Sequence, residues 1–184
     1  ISLGLVGSEM CIRDRDGYSV ETQGGASFHA AAVLLTPPVP QTLALLNAGG
    51  IELDDAMRKR LGAIEYERCI AVMAVLDGPS LLPSPGGFAP TEGPAAWIAD
   101  NEKKGISAEP AITIHASPEF SFENWDEDRV KVGQRLIDFC KPWLGSQVKS
   151  YQVHGWRYSK PMRVDGETCA VIDASPPLLS LIHI

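Results

Sequence analysis

Three stretches of the chain carry the side chains best suited to chemistry. They read WIADN at 97–101, AITIHASPEF at 111–120 and HGWRYS at 154–159. Each has the apolar and β-branched residues of a β-strand, followed by polar groups able to point at a ligand. Strand ends that carry Trp, Asn, His, Arg and Tyr can form a wall for a flat aromatic ligand, because rings stack on it and polar tips fix orientation. Ordinary packing at the rim of a sheet is the alternative.

The residues around these motifs predict the elements that position them. The run CIAVMAVL at 69–76 is apolar on both faces, which predicts a strand buried on both sides. The proline-rich segment 36–40 ends a preceding strand, because proline cannot donate to a ladder. The predicted strands are 18–22, 27–29, 31–35, 66–76, 95–100, 111–116, 148–158 and 169–173. The predicted helices are about 40–47, 54–64 and 127–144, the last with Asp126 as a candidate cap.

Composition limits the classes of function. The formal charge of −7 argues against nucleic acid as a partner. No apolar run approaches the roughly 20 residues of a membrane span. Cys69, Cys140 and Cys169 lie in apolar settings without metal-ligand spacing, which argues against a zinc site or disulfide framework. We therefore expect a cytoplasmic protein without a bound metal, and the sequence leaves its oligomeric state open.

Both ends of the chain look foreign to the rest. Residues 5–14, LVGSEMCIRD, resemble a reading frame through the adapter sequence used to prepare sequencing libraries, and 179–184, LSLIHI, resemble the same element read on the other strand. We expect 1–15 to be a non-native leader and 179–184 a non-native tail. The chain between them is then expected to be a fragment of a longer protein.

The three motifs, in their order and spacing, resemble the substrate domain of renalase-like FAD-dependent oxidoreductases. The segment 33–41, VLLTPPVPQ, is similar to the place where that family's chain leaves its FAD domain. The resemblance implies an α+β fold with a mixed, largely antiparallel sheet and flanking helices over the flavin. It assigns 16–64 to the end of the FAD domain with connector helices, and 65–178 to the substrate domain.

The resemblance also implies FAD as cofactor of the full-length parent. The G-x-G-x-x-G loop that places a pyrophosphate at a helix N-terminus does not occur in this sequence. Gly24-Gly25 and Gly86-Gly87 do not replace it, since neither pair lies between a buried strand and a helix. We expect the parent to be an enzyme and this piece alone to be inactive.

The family motif suggests roles for individual residues, each beside a structural alternative. Trp97 and Tyr158 would contact substrate, or pack within the sheet. Asn101 and His115 would act at the reacting groups; otherwise Asn101 is a turn residue and His115 a satisfied strand histidine. The cofactor contacts would come from Thr36, Pro37, Trp156 and Arg157. The alternative for Thr36 and Pro37 is that they only end a strand, and the alternative for Arg157 is an ion pair with a neighbouring strand.

The sequence thus predicts part of an oxidase that holds a reduced nicotinamide dinucleotide or an amine-type small molecule against the flavin for hydride transfer. By resemblance, dioxygen would be the electron acceptor. The alternative from another class is a non-enzymatic α+β domain that binds a small ligand at the aromatic strand ends.

Overall fold

The computed structural model describes residues 8–13, 17–22, 24–163 and 165–182. Contacts within the chain divide it into two compact units. Unit 1 comprises Ile1–Tyr66 and Lys160–Ile184, and unit 2 comprises Glu67–Ser159. The chain therefore passes from one unit to the other twice, within one strand on the way out and within another on the way back.

The described residues of unit 1 form two small three-stranded sheets and two helices. One sheet is antiparallel in the order β1-β2-β3, and the other has the order β10-β11-β4, in which β11 is antiparallel to β10 and parallel to β4. The elements are β1 (Ser8–Arg13), β2 (Tyr18–Thr22), β3 (Ser27–Ala30), β4 (Val33–Leu35), α1 (Val39–Ala48), α2 (Asp55–Gly62), β10 (Cys169–Ala174) and β11 (Pro177–Leu181).

Local chemistry fixes the two helices of unit 1. Pro38 and the proline at the second position of α1 suit a helix start, where a missing N–H costs no intrahelical bond. The Asp54 carboxylate accepts a hydrogen bond of 2.7 Å from the backbone N–H of Met57 and so caps α2. Apolar side chains from helices and strands then close two buried clusters. Their members are Tyr18, Val20, Leu35, Leu45, Leu46 and Leu178 in one, and Val39, Leu61, Ile64, Ala170 and Ile182 in the other.

Unit 2 is built on a five-stranded sheet in the order β6-β7-β8-β5-β9. The pairings β6–β7, β7–β8 and β5–β8 are antiparallel. The strands are β5 (Tyr66–Leu76), β6 (Gly87–Phe88), β7 (Ala95–Asp100), β8 (Ala111–Ala116) and β9 (Val148–Pro161). The helices are α3 (Pro118–Glu123) and α4 (Arg129–Leu144).

Helix α4 covers one face of this sheet. Val132, Leu136 and Cys140 are fully buried and recur at helical spacing, so they form one apolar stripe against the strands. The approach to β9 is close, because a Cβ added at Gly133 would lie 2.4 Å from Val153 Cγ2. Asp128 caps the helix by accepting from the backbone N–H of Lys131 at 3.0 Å.

The structure confirms the α+β class with mostly antiparallel sheets. It differs from the sequence expectations in four details. Helix α3 was not predicted, although Ser117 caps it and Pro118 occupies its first turn. The cap of α4 is Asp128 and not Asp126. Strand β4 is shorter than 31–35, and Leu34 within it is 53% exposed. Strand β5 is not buried on both sides throughout, since Met73 is 42% exposed.

Two strands fall within the stretches expected to be foreign. They are β1, in the expected leader, and most of β11, which continues into the expected tail. Residues 1–7, 14–16 and 183–184 lie outside the described residues. The origin of these stretches and the assignment of 16–64 and 65–178 to two functional domains stay predictions.

Candidate functional site

The sheet of unit 2 has one face packed under α4 and one that is not. Ile98 pairs with Ile114, and Ile114 with Val72, and all three are fully buried in the core cluster. The neighbouring pair Trp97 and His115 must point the other way, because side chains alternate along a strand. We call this second side the open face. It carries Ala71, Met73, Trp97, Thr113 and His115.

Strand β9 adds a second tryptophan to the open face. Val153 packs against the core cluster, and a Cβ added at Gly155 would lie 3.1 Å from the Trp125 ring, so both positions face the helices. His154 and Trp156 therefore point to the opposite side. Their rings meet edge to face with centroids 4.6 Å apart, and Trp156 is 55% exposed.

His115 occupies an exposed position on β8, and its pKa is lower than that of a free histidine. Desolvation lowers its pKa, and the positive charge of Lys104 lowers it further. Trp97, its cross-strand partner, is 40% exposed. A neutral imidazole beside an indole can therefore donate one hydrogen bond and accept another at neutral pH.

Asn101 is used by the turn that follows β7. Its side-chain amide donates to Thr113 Oγ1 at 3.0 Å, and its backbone N–H donates to the Ala111 carbonyl at 2.7 Å. Its own carbonyl accepts from the backbone N–H groups of Ile106 and Ser107 at 2.8 and 3.0 Å. These bonds join the β7–β8 connection to the end of the sheet. They give Asn101 a structural role.

The same turn is anchored by a buried carboxylate that the sequence reasoning did not single out. Asp100 is 2% exposed and accepts hydrogen bonds from Ser80 Oγ at 2.5 Å and from the backbone N–H of Lys103 at 2.8 Å. Lys103 Nζ lies 3.7 Å from the carboxylate and donates to the Leu82 carbonyl at 2.6 Å. We call Ser80, Asp100 and Lys103 the latch, because they tie the excursion 77–94 to the end of β7.

The remaining predicted residues lie elsewhere. Arg157 is on the helix side of the sheet, with its guanidinium carbon 5.8 Å from the centroid of the Trp125 ring. Tyr158 is half-buried. Thr36 and Pro37 belong to unit 1, where Thr36 is exposed and the buried Pro37 accepts at its carbonyl from Thr42 Oγ1 at 3.4 Å. The structure thus gathers Trp97, His115 and Trp156 on one face and separates Arg157 from them.

In the described part of the chain, no three His, Cys, Asp or Glu side chains gather as a metal site. No helix there combines the length and apolar character that a membrane crossing requires. Burial raises the pKa of Cys140 to about 12 and also raises that of Cys69, so neither thiol is a ready nucleophile.

Comparison with solved structures finds the same fold in several longer chains. An oxidoreductase from Methanosarcina mazei is similar over 96% of this chain at 14% identity, with a TM-score of 0.60. A putrescine oxidase redesigned in its cofactor binding is similar over 80% at 15% identity, with a TM-score of 0.58. Reduced UDP-galactopyranose mutase is similar over 78% at 10% identity, with a TM-score of 0.53.

The chain spans 43%, 33% and 32% of these three structures, respectively. No family model matches the sequence, and no curated protein matches it significantly. At these identities the similarity establishes the fold and leaves the activity to be argued from the chain's own residues.

Proposed function

We propose that this chain is part of an FAD-dependent oxidoreductase in which the open face covers the flavin ring. The observation that carries the proposal is the grouping of Trp97, His115, Met73 and Trp156 on one exposed sheet face. A broad aromatic and apolar surface that also presents the imidazoles of His115 and His154 suits stacking against a flat heteroaromatic ring. The named oxidoreductase and oxidase among the structural neighbours support the same class.

The residues present fit a cover for the flavin and not a complete binding site. The exposed rings of Trp97 and Trp156 offer flat surface, whereas the sequence contains no glycine-rich loop for the pyrophosphate. Bound FAD would supply the electron transfer, which is the cofactor's own chemistry. The chain's share is to position a substrate ring, to exclude water and to hold one hydrogen bond at His115.

The neutral state of His115 supports this division of roles. Because desolvation and then the charge of Lys104 lower the pKa of His115, the neutral ring is favoured over the imidazolium near neutral pH. A neutral imidazole can orient a carboxamide or an amine by a hydrogen bond without placing a positive charge beside the redox centre. In this proposal Asn101 shapes the strand end, and Trp97 and Tyr158 border the substrate.

The finer part of the proposal concerns the substrate and the electron acceptor. We propose a renalase-like oxidase acting on reduced nicotinamide dinucleotides or on amine-type compounds, with dioxygen as acceptor. The similar putrescine oxidase is named for an amine, which supports the amine alternative.

The test uses the full-length protein obtained by extending the reading frame at its genomic locus. The enzyme is reduced anaerobically with isomeric dihydronicotinamides and with amines, and bleaching of the flavin absorbance gives the rate. Trp97→Ala and Trp156→Ala should each lower the rate of bleaching about tenfold, since each removes a stacking surface worth about 1.5 kcal/mol. Val130→Ala is the control, because Val130 is also an exposed apolar residue but lies on α4, on the other side of the sheet.

A protein that binds no FAD, or whose flavin is bleached equally fast after both tryptophan replacements, would contradict the proposal. Bleaching by neither dihydronicotinamides nor amines would leave the cofactor assignment in place and overturn the proposed substrates.

A further inference from the structure

Three arginines from three different elements converge on one buried tryptophan in unit 2. The guanidinium carbons of Arg68 on β5, Arg129 on α4 and Arg157 on β9 lie 5.1, 4.8 and 5.8 Å from the Trp125 ring centroid. Trp125 itself is 9% exposed. We call these four residues the arginine cluster, and it lies on the helix side of the sheet, away from the open face.

The three positive charges lack acidic partners in the part of the chain that the structure describes. Among the described residues, none of the three guanidinium groups lies in a salt bridge, and Arg129 Nη1 is buried without any hydrogen-bond acceptor. Two acidic groups near the start of α4 are engaged elsewhere. Glu127 pairs with Arg135 at 2.8 Å, and Asp128 caps the helix at the Lys131 N–H. The positive charge of the cluster is therefore uncompensated within the described chain.

Cation–π contact alone does not account for this arrangement. Because all three carbons lie around one ring, no two can be more than about 11 Å apart, which is close to the screening length of roughly 10 Å at 0.1 M salt. The like charges therefore repel one another. Arg135 shows the ordinary structural case, since it stacks on Phe120 at 5.3 Å and is neutralised by Glu127.

We propose that the arginine cluster binds the phosphate group of a phosphate monoester. A phosphate dianion offers several oxygens to separate donors, whereas a carboxylate offers only two, and guanidinium groups bind phosphate oxygens in a bidentate manner. The buried Nη1 of Arg129 gains the acceptor that it lacks. The absence of a side chain at Gly155 leaves room for the Arg129 guanidinium itself, because a Cβ there would lie 3.2 Å from Arg129 Nη2.

The neighbouring surface indicates an apolar or aromatic body on this ligand. Phe122 is 69% exposed, and the Arg68 guanidinium carbon lies 5.3 Å from its ring centroid. An organic group attached to a phosphate held by Arg68 would reach this ring, where stacking adds affinity. The site does not depend on the flavin proposal, since it uses none of the open-face residues.

The test is a titration of the full chain with phenyl phosphate and, separately, with inorganic phosphate. The signal is the indole N–H resonance of Trp125, assigned by its loss in Trp125→Phe. We expect a saturable shift, tighter for phenyl phosphate. Arg68→Gln, Arg129→Gln and Arg157→Gln should each weaken binding about tenfold or more, because each removes a charge-assisted hydrogen bond.

Arg135→Gln is the matched control and should change the affinity less than about twofold, because exposed paired charges contribute little. Arg157 is exposed on a strand, so Arg157→Gln should still fold. This variant therefore tests the proposal even if another variant fails to fold. The absence of a saturable shift with either ligand, or an equal loss in Arg135→Gln, overturns the proposal. Equal affinity for the two ligands overturns the role of Phe122 alone.

Discussion

Replacing Asp100 with Ala should destabilise the protein by about 3 kcal/mol at pH 7. Two donors would lose a buried acceptor, the Ser80 hydroxyl at 2.5 Å and the Lys103 N–H at 2.8 Å, at roughly 1–3 kcal/mol each. The ion pair to Lys103 Nζ at 3.7 Å adds little, because that ammonium is partly exposed and keeps the Leu82 carbonyl at 2.6 Å. For a chain of this length, the corresponding fall in Tm is about 6–12 °C.

The effect should become smaller in acid. Desolvation opposes ionisation of Asp100, but the hydrogen bonds from Ser80 and Lys103 and the charge of Lys103 outweigh it, so the net pKa is lowered. A carboxyl with a depressed folded-state pKa contributes its stability above the unfolded-state value of about 3.9. That contribution is lost as the pH falls through the folded-state pKa, so the difference in stability between the wild type and Asp100→Ala should narrow.

Urea unfolding followed by tryptophan fluorescence at pH 7 and at stepwise lower pH measures both quantities. Asp138→Asn is the control, since Asp138 is exposed and binds Lys141 and Gln134 at the surface, and should cost less than about 0.5 kcal/mol. The reasoning about the latch fails if Asp100→Ala costs no more than the control, or if its cost is unchanged in acid.

Three further outcomes are expected. Gly133→Ala should destabilise by about 1–3 kcal/mol in urea unfolding because its Cβ would lie 2.4 Å from Val153 Cγ2, whereas Gly62→Ala, which meets open space, should not destabilise. Cys140, with its pKa raised to about 12 by burial, should be alkylated at pH 8 only as fast as the protein unfolds, and rapid reaction of the native thiol would contradict this. The His115 imidazole should titrate below about 6.5 by NMR, and a midpoint at or above that value would refute its desolvation.

The strands of unit 2 were predictable because their signals are local. The apolar run at 69–76 and the β-branched residues of 111–116 specify β5 and β8 without reference to their partners. The sequence also allows the prediction that the side chains of Trp156 and Arg157 lie on opposite faces of the sheet, since adjacent residues of a strand point to opposite faces. The sequence interpretation assigned both residues to cofactor binding, and that assignment stays a prediction.

Features that depend on distant parts of the chain were not predictable. The arginine cluster needs β5 beside β9 and a helix start near Trp125, and no spacing in the sequence reveals that Arg68 and Arg157 share a face. The latch joins Ser80 to Asp100 through a loop without periodicity. Parallel pairing of β4 with β11 spans most of the chain, and such pairing leaves no local signal.

The two passages between the units have an evolutionary consequence. Strands β5 and β9, which carry the chain out of unit 1 and back, are neighbours in one sheet, and the Met162 N–H donates to the Glu65 carbonyl at 2.8 Å beside them. Unit 2 thus begins and ends at one place. A segment whose two ends lie close together in space can be replaced by recombination without altering the topology of the rest of the chain. Residues 67–159 could therefore be exchanged as a block between chains of this architecture.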